Sequence, residues 1–136
     1  MAITDVYQRD ANQVPITGLD LISSKAITYS ALTTGAIATT NLFTITGTVA
    51  LRIFAVCSVL LDSDGASTIE VGIAGATAGL IAQTTATTID ADEIWIDATP
   101  AKIETLPSLS ILNGQTIIQT IATETIKAGV LTYYCC

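Results

Sequence analysis

The chain has 136 residues, the usual size of one domain, and its twelve acidic and five basic residues give a formal net charge of −7. Half of the residues are hydrophobic and only 12% are charged, whereas about a quarter of the residues in a typical soluble domain are charged. The net acidity and the scattered basic residues argue against direct binding of nucleic acid, which needs clustered Lys and Arg. The excess apolar surface is therefore expected to meet protein or membrane.

A membrane is the weaker of these two options. The longest charge-free run, residues 26–51, holds eight threonines, two glycines, a serine and an asparagine, whereas a spanning helix needs about 20 predominantly apolar residues. No secretory signal is visible, because Asp5, Arg9 and Asp10 fall where its apolar core would lie. We therefore expect subunit contacts to cover the apolar surface.

Residues 1–24 differ from the rest of the chain, since they carry four charges and Pro15 and Gly18 interrupt any regular element. Ordering such a segment costs about 1–2 kcal/mol of backbone entropy per residue. Its alternating apolar positions offset that cost only against an apolar surface or a strand edge. We predict an extended N-terminal arm that lies on another protein, and the alternative is a frayed terminus.

The middle of the chain predicts strands, because it is rich in the β-branched residues Thr and Ile. Residues 42–46 and 49–61 flank Gly47. Both alternating faces of the second segment are largely apolar, which is typical of a central strand or of one covered on both sides. The turn Asp62-Ser63-Asp64-Gly65 leads to an alternating segment at residues 68–74. This pattern predicts a hairpin with the preceding strand.

Residues 76–89 favour a loop or an irregular strand, since Gly79 and four threonines oppose a short helix. The remaining predicted elements are short strands at residues 93–97 and around Ile103, a turn at Asn113-Gly114, and strands at residues 116–122 and 130–134. We therefore predict a single all-β domain over residues 25–136, built as an antiparallel β-sandwich or jelly-roll-like barrel.

The sequence offers little catalytic chemistry. It has no histidine, which removes the commonest general base and the commonest metal ligand. Residues 72–79 are rich in glycine but lack the Lys and the spacing of a phosphate-binding loop. Asp62 and Asp64 resemble the start of a calcium-binding EF-hand loop, but Ile73 stands where its bidentate Glu is required. Residues 90–97 are interpreted as a solvated acidic loop, so we predict no enzyme, no metal site and no cofactor.

The three cysteines allow at most one bridge within the chain. Cys57 lies in the apolar central strand and is predicted to be a buried free thiol. Cys135 and Cys136 are neighbours in an extended segment, so their side chains point to opposite faces. We name Cys135 and Cys136 as candidates for a disulfide between subunits, with free reduced thiols as the alternative.

Several phrases of the sequence resemble one class of proteins. They are VYQRDANQVPITG, LFTITG with VALRIFAVCSVL, and STIEVGIAGATAGLIAQTTATTIDADEIWID. These phrases are similar to small virion structural proteins that tailed bacteriophages encode beside their capsid genes, of the head decoration, cement or head-fibre type. The likeness extends over most of the chain. It implies β-rich subunits, often trimers, that are made in the host cytoplasm and sit on the outside of the capsid.

The resemblance and the composition together predict a capsid decoration or cement protein. Its partners would be the major capsid protein and further copies of itself, most simply as a trimer, without nucleic acid or membrane. In this interpretation the arm adds a strand to an exposed sheet edge. Val14, Ile16 and Leu19 are its apolar anchors, Arg9 pairs with an acidic group, and Pro15 holds the chain extended.

Two other classes stay open at this point. One is a different part of the virion, namely a neck, tail-tip or receptor-binding fibre module. The other is a β module from outside the virion, such as a pilin-like or adhesin subunit, and the missing secretion signal counts against it.

Overall fold

The computed structural model describes residues 22–136 and, further upstream, the backbone of two short strands. Most of the described chain is β-strand, as its content of β-branched residues predicts. In chain order the strands are β1 Gln8–Arg9, β2 Pro15–Ile16, β3 Ser23–Thr28, β4 Ala38–Thr44, β5 Thr48–Leu51, β6 Ile53–Ser63, β7 Thr68–Ile73, β8 Ala76–Thr85, β9 Ile94–Trp95, β10 Ser110–Asn113, β11 Thr116–Ala122 and β12 Ile126–Cys135. A short 3-10 turn, Ala86–Thr88, follows β8.

Eight strands form two four-stranded antiparallel sheets. The first sheet has the order β3-β12-β6-β9 and the second has the order β4-β11-β7-β8. Along the chain, these strands alternate between the sheets, except that β7 and β8 form a hairpin within the second sheet. This is the strand order of a jelly roll, so the predicted all-β sandwich is confirmed. β5 pairs with β10 in a separate two-stranded ribbon, and β1 pairs with β2.

Two hydrogen bonds show how the sheets face each other. At one margin, Lys25 of β3 donates from Nζ to the carbonyl oxygen of Asn41 in β4, over 2.6 Å. At the other margin, Trp95 of β9 donates from Nε1 to Oγ1 of Thr84 in β8, over 2.8 Å. β3 therefore lies beside β4, and β9 lies beside β8.

The core fills the space between the sheets. Inward positions recur at every second residue of the strands, as the pleat requires. The largest fully buried side chains are Trp95 and Tyr133, whose rings meet edge to face with centroids 6.3 Å apart. Around them lie buried aliphatic side chains from both sheets, including Ile53, Leu61, Ile69, Ile81, Ile117, Ile121 and Leu131.

One polar cluster interrupts this apolar core. Tyr29, just after β3, and Tyr133 of β12 each donate their hydroxyl to Oε1 of Gln119 in β11, over 2.5 and 2.7 Å. All three side chains are buried, and Nε2 of Gln119 has no partner among the described residues. Burial raises the pKa of both tyrosines. Because the cluster joins the first sheet to the second, it specifies how the two sheets are positioned against each other.

The predicted hairpin between residues 49–61 and 68–74 is wrong. β6 and β7 lie in different sheets, and the acidic turn carries the chain from one to the other. The predicted first strand is also divided at Arg52, whose N–H and carbonyl pair with the backbone of Cys136. Alternation and turn residues show that a strand ends, but they do not show which sheet the next strand joins.

The outcome differs for two further predictions. Residues 76–85 form a ten-residue strand, β8, whose pairing with β7 shifts register on either side of Val71. This is the irregular strand that the threonines and Gly79 favour. The strand predicted around Ile103 is absent. Residues 102–109 contain no strand, and Ala101, just before them, forms an isolated bridge with Ile94 of β9.

The buried polar cluster generates a stability prediction. We expect Gln119→Leu to lower the free energy of unfolding by about 1–3 kcal/mol, because two buried hydroxyls lose their common acceptor. Urea denaturation, followed through the fluorescence of buried Trp95, measures this change.

The matched control removes every partner together. In the triple variant Tyr29→Phe, Tyr133→Phe, Gln119→Leu no buried donor is left unpaired, so part of the lost stability should return. A single variant as stable as the wild type, or a triple variant less stable than the single one, would contradict the assigned role.

Candidate protein-docking surface

The outer faces of the two sheets differ in polarity. The second sheet presents polar side chains in a row, in which Thr39 lies beside Thr120, and Gln83 donates from Nε2 to the Glu70 carboxylate over 3.3 Å. The first sheet presents half-buried apolar side chains, namely Phe54, Val56, Ile94, Ile96 and Tyr134. The sandwich therefore has one polar outer face and one apolar outer face.

Strand register brings the apolar residues together. Phe54 of β6 lies opposite Tyr134 of β12, and their rings stack with centroids 5.2 Å apart. On the other side of β6, Val56 lies opposite Ile94 of β9. This continuity follows from the two-sided apolar pattern of β6, which the sequence shows.

Residues 102–109 pass over part of this face and leave a cleft of about 140 Å³. Arg52 holds the segment in place by donating from Nε to the carbonyl oxygen of Pro107 over 2.9 Å. The cleft is lined by Phe54, Ile94, Ile96, Glu104, Thr105, Leu106 and Pro107. Its walls are mainly apolar, and Glu104 supplies the one charged side chain.

The same segment and β10 carry a row of exposed aliphatic side chains, which we call the aliphatic ridge. It consists of Ile103, Leu106, Leu109 and Ile111, whose exposed fractions are 90%, 73%, 58% and 74%. The ridge adjoins the apolar outer face of the first sheet at Leu106, which lines the cleft together with Phe54 and Ile94. We call these two surfaces together the docking face. Clustered exposed apolar side chains are typical of a site of contact with another protein or a ligand.

Carboxylates near the docking face serve local structure. Glu93 accepts from the backbone N–H of Asp90 over 2.9 Å. Asp97 accepts from the hydroxyl and from the backbone N–H of Thr99, both over 2.7 Å, and these bonds lower its pKa. Within residues 22–136 no group of three or more acidic, Cys or His side chains is arranged to hold a metal ion.

The predicted arm residues are only partly described. Arg9 pairs with Pro15, and Gln8 pairs with Ile16, through the backbones of β1 and β2. Val14 and Leu19 lie outside the described residues. The assignment of these residues to partner binding therefore stays a prediction.

The cysteines are all free thiols, in three different surroundings. Cys57 is buried in β6 and donates to the carbonyl oxygen of Val59, and burial raises its pKa to about 11. Cys135 is buried on the same inner face, and burial raises its pKa as well. Cys136 is partly exposed.

Register excludes a bridge between the two buried thiols. Cys57 lies opposite Leu131, four residues along β12 from Cys135, so their Cα atoms are separated by about 13 Å. A disulfide requires Cα atoms within about 7 Å. Cys135 is buried and Cys136 is partly exposed. Of the two residues predicted to link subunits, Cys136 is therefore the better placed.

The sequence pattern does not predict the aliphatic ridge. Around Ile103 it favours a strand, whose side chains would be half covered. The available signal was the pair Pro100 and Pro107, which removes two backbone donors and opposes a paired strand. Aliphatic side chains in an unpaired segment have no sheet to pack on, so they are left at the surface.

Among residues 22–136 and the two short upstream strands, no helix has the length and apolar character needed to cross a bilayer. Comparison of the chain with protein-family models, with curated proteins and with solved structures finds no match.

The thiol environments predict an order of chemical reactivity. We expect a maleimide to modify Cys136 of the native protein first, because its side chain is accessible, and to leave Cys57 unmodified, because thiolate is the reactive form. Mass spectrometry of tryptic peptides at successive times measures the order. Equal labelling of Cys57 and Cys136 in folded protein would contradict the described packing.

The raised pKa of Cys57 also predicts a pH dependence. Above pH 9.0, the ordinary value, the unfolded chain loses this proton, whereas the folded chain keeps it up to about pH 11. The protonated Cys57 thiol therefore contributes its full stabilisation of the folded state below pH 9. This contribution is lost as the pH rises from 9.0 to about 11. Denaturation of wild type and Cys57→Ala at several pH values should show a shallower decline in the variant, and identical slopes would contradict the prediction.

Proposed function

We propose that this protein is a structural protein of a bacteriophage virion, and that it coats the outer surface of the capsid lattice as a decoration or cement protein. The observation that carries the proposal is the docking face, where the apolar sheet surface adjoins Leu106 and where four aliphatic side chains are exposed. Such a surface supports a role in which the protein is held against another protein. The likeness of its sequence phrases to phage head proteins supports the kind of partner.

The fold is compatible with this role, but it does not by itself indicate the role. Jelly rolls build viral capsid domains, and they also build lectins and cupins. Function has to be argued from the surface of this chain rather than from its topology. Here the distinguishing property is the contrast between the docking face and the polar outer face of the second sheet.

The chemistry of the docking face explains how a small protein stabilises a shell. Complete burial of one Leu or Ile side chain contributes about 1.5–3 kcal/mol, and part of that is lost to the cost of association. A single contact is therefore of modest strength. A homo-oligomer that engages several equivalent capsid sites at once binds far more tightly, and it links neighbouring capsid subunits.

The proposal predicts a specific loss of particle binding. Phage particles that lack the protein are incubated with purified wild type or with Leu106→Ser, and the bound copies are counted by quantitative mass spectrometry. We expect the variant to bind at least about tenfold more weakly at each contact, because a ridge side chain no longer gains from burial.

The matched control is Leu32→Ser. Leu32 is 93% exposed in the turn after β3, which approaches the Ile126 end of β12, whereas the ridge segment is held at the Arg52 end of the sandwich. We expect this variant to bind like the wild type. A copy number that does not rise with the number of capsid subunits contradicts capsid coating and indicates a neck or tail position. Equal binding by both variants contradicts the assignment of the docking face.

A further inference from the structure

β8 is a long edge strand without a charged residue or a proline, and its pairing with β7 shifts register on either side of Val71. It is ten residues long, and residues 71–89 around it contain neither a charged residue nor a proline. Natural edge strands are normally kept short or carry Lys, Pro or other features that prevent pairing with another chain. In the described part of the chain, only β7 pairs with β8, so its other side is open.

The other sheet edges differ from β8. The β4 edge is approached by Lys25, whose ammonium group occupies the carbonyl oxygen of Asn41. Lys25 itself belongs to β3, so this edge strand carries a charge that opposes pairing with another chain. β9, at the remaining edge, is only two residues long. Of the four edges of the two sheets, β8 is therefore the long and uncharged one.

An apolar cleft lies next to this open edge. Its volume is about 190 Å³, and it is lined by Ile73, Ala76, Gly79, Leu80, Ser110 and Leu112. When a peptide adds to a sheet edge, main-chain hydrogen bonds supply affinity, and pockets for alternate side chains supply specificity. β8 and this cleft offer both components at one place.

We propose that β8 receives residues 14–19 of a second copy of this chain as an added strand. The inference rests on the proposed function, since it identifies how copies of the decoration protein hold one another. Residues 11–19 carry no charge, so this pairing buries no unpaired charge against the uncharged edge. Val14 and Ile16 are two positions apart and therefore face the same side of a strand, the side that fills the cleft.

The extended backbone of β2 is compatible with this pairing. Among the described strands, β2, which contains Pro15 and Ile16, pairs only with β1. In the proposed assembly, its second side pairs with β8 of another subunit. Pro15 has no N–H, so the hydrogen bonds come from the residues around it.

The position of β3 explains why the donor comes from another copy. The chain enters β3 at Ser23, on the margin opposite β8. A straight line between the two margins measures about 17 Å and runs through the core, because strands are spaced by about 4.8 Å and the sheets by about 10 Å. Since residues 14–19 lie in the added strand, the linker is the four Cα–Cα steps from Leu19 to Ser23, which span at most about 14 Å when fully extended. This is shorter than the straight line and too short for a path around the outside.

This contact joins unlike surfaces, the arm of one subunit and β8 of the next. Such heterologous contacts produce closed rings when the rotation between subunits closes. The inference therefore gives a physical route to the homo-oligomer that decoration requires, and it leaves the docking face free for the capsid.

The test mixes two full-length variants without any phage particle. Ile16→Asp disables the donor by placing a charge in the apolar cleft. Ala78→Lys with Ala82→Lys disables the acceptor, since both alanines are exposed on β8 and lysines oppose edge pairing. Sedimentation velocity should show an oligomer for the wild type, monomers for each variant alone, and a dimer for the equimolar mixture.

The dimer is expected because the mixture restores one intact contact, between the normal arm of the β8 variant and the normal β8 of the Ile16 variant. Ala38→Lys, on the exposed start of β4, is the matched control and should remain oligomeric. Hydrogen exchange checks the same contact in folded protein, since the Ile16→Asp change should speed the exchange of β8 amides in proportion to the loss of oligomer.

Several results would overturn the inference. They are a wild type that is monomeric at every concentration, variants that remain oligomeric, or a mixture of folded variants that stays monomeric. These outcomes are independent of the particle-binding assay. If the variants bind capsids like the wild type and also self-assemble like the wild type, the inference fails and the proposed function stands. If self-assembly follows the prediction but no particle is bound, the proposed function fails instead.

Discussion

β6 has to be covered on both of its faces, and much of the structure depends on this constraint. Its inner residues, Ile53, Ala55 and Cys57, join the core between the two sheets. Its outer residues, Phe54 and Val56, are equally apolar, but no second layer of the sandwich lies over them. Within the described chain they are only partly covered, by β12 and β9 side chains and by the segment that Arg52 holds. Under the proposed function, another protein completes their burial, and this connects the fold to the proposed role.

In the proposed assembly, the two sheets have different roles. The second sheet has a polar outer face and would contribute the edge of β8. The first sheet would contribute its apolar outer face. The buried cluster of Tyr29, Tyr133 and Gln119 keeps the two sheets in one arrangement, so the edge and the face keep a fixed relation to each other. A particle-coating protein needs such a relation, because its contacts with itself and with the shell must be made together.

The sequence predicts the class of fold well and the topology poorly. β-branched residues and turn signals predict the sandwich. The predicted strand 116–122 coincides with β11, because β-branched residues there follow the Asn113-Gly114 turn. The partition of strands between sheets depends on contacts between distant residues, such as Trp95 with Thr84, and local patterns do not contain this information. For this reason the predicted pairing of β6 with β7 fails, although both strands exist.

The candidate site shows the same division. The two-sided apolar pattern of β6 was visible in the sequence and predicted a central strand or one covered on both sides, and β6 is an interior strand of its sheet. The aliphatic ridge was not found, because exposure at Ile103 and Leu106 depends on the path of a segment without regular structure. The arm was singled out from composition alone, and its anchors Val14 and Leu19 lie outside the described residues. The edge that would accept it emerged only from the sheet order.

The central claim is that another protein covers the docking face in the working state. Hydroxyl-radical footprinting of the free protein and of the protein on phage particles tests it most directly, because it reports the accessibility of individual side chains. The account predicts that Leu106, Phe54 and Tyr134 are oxidised in the free protein and protected on the particle, while Leu32 is oxidised equally in both. Unchanged oxidation of Leu106, Phe54 and Tyr134 on the particle would contradict the account.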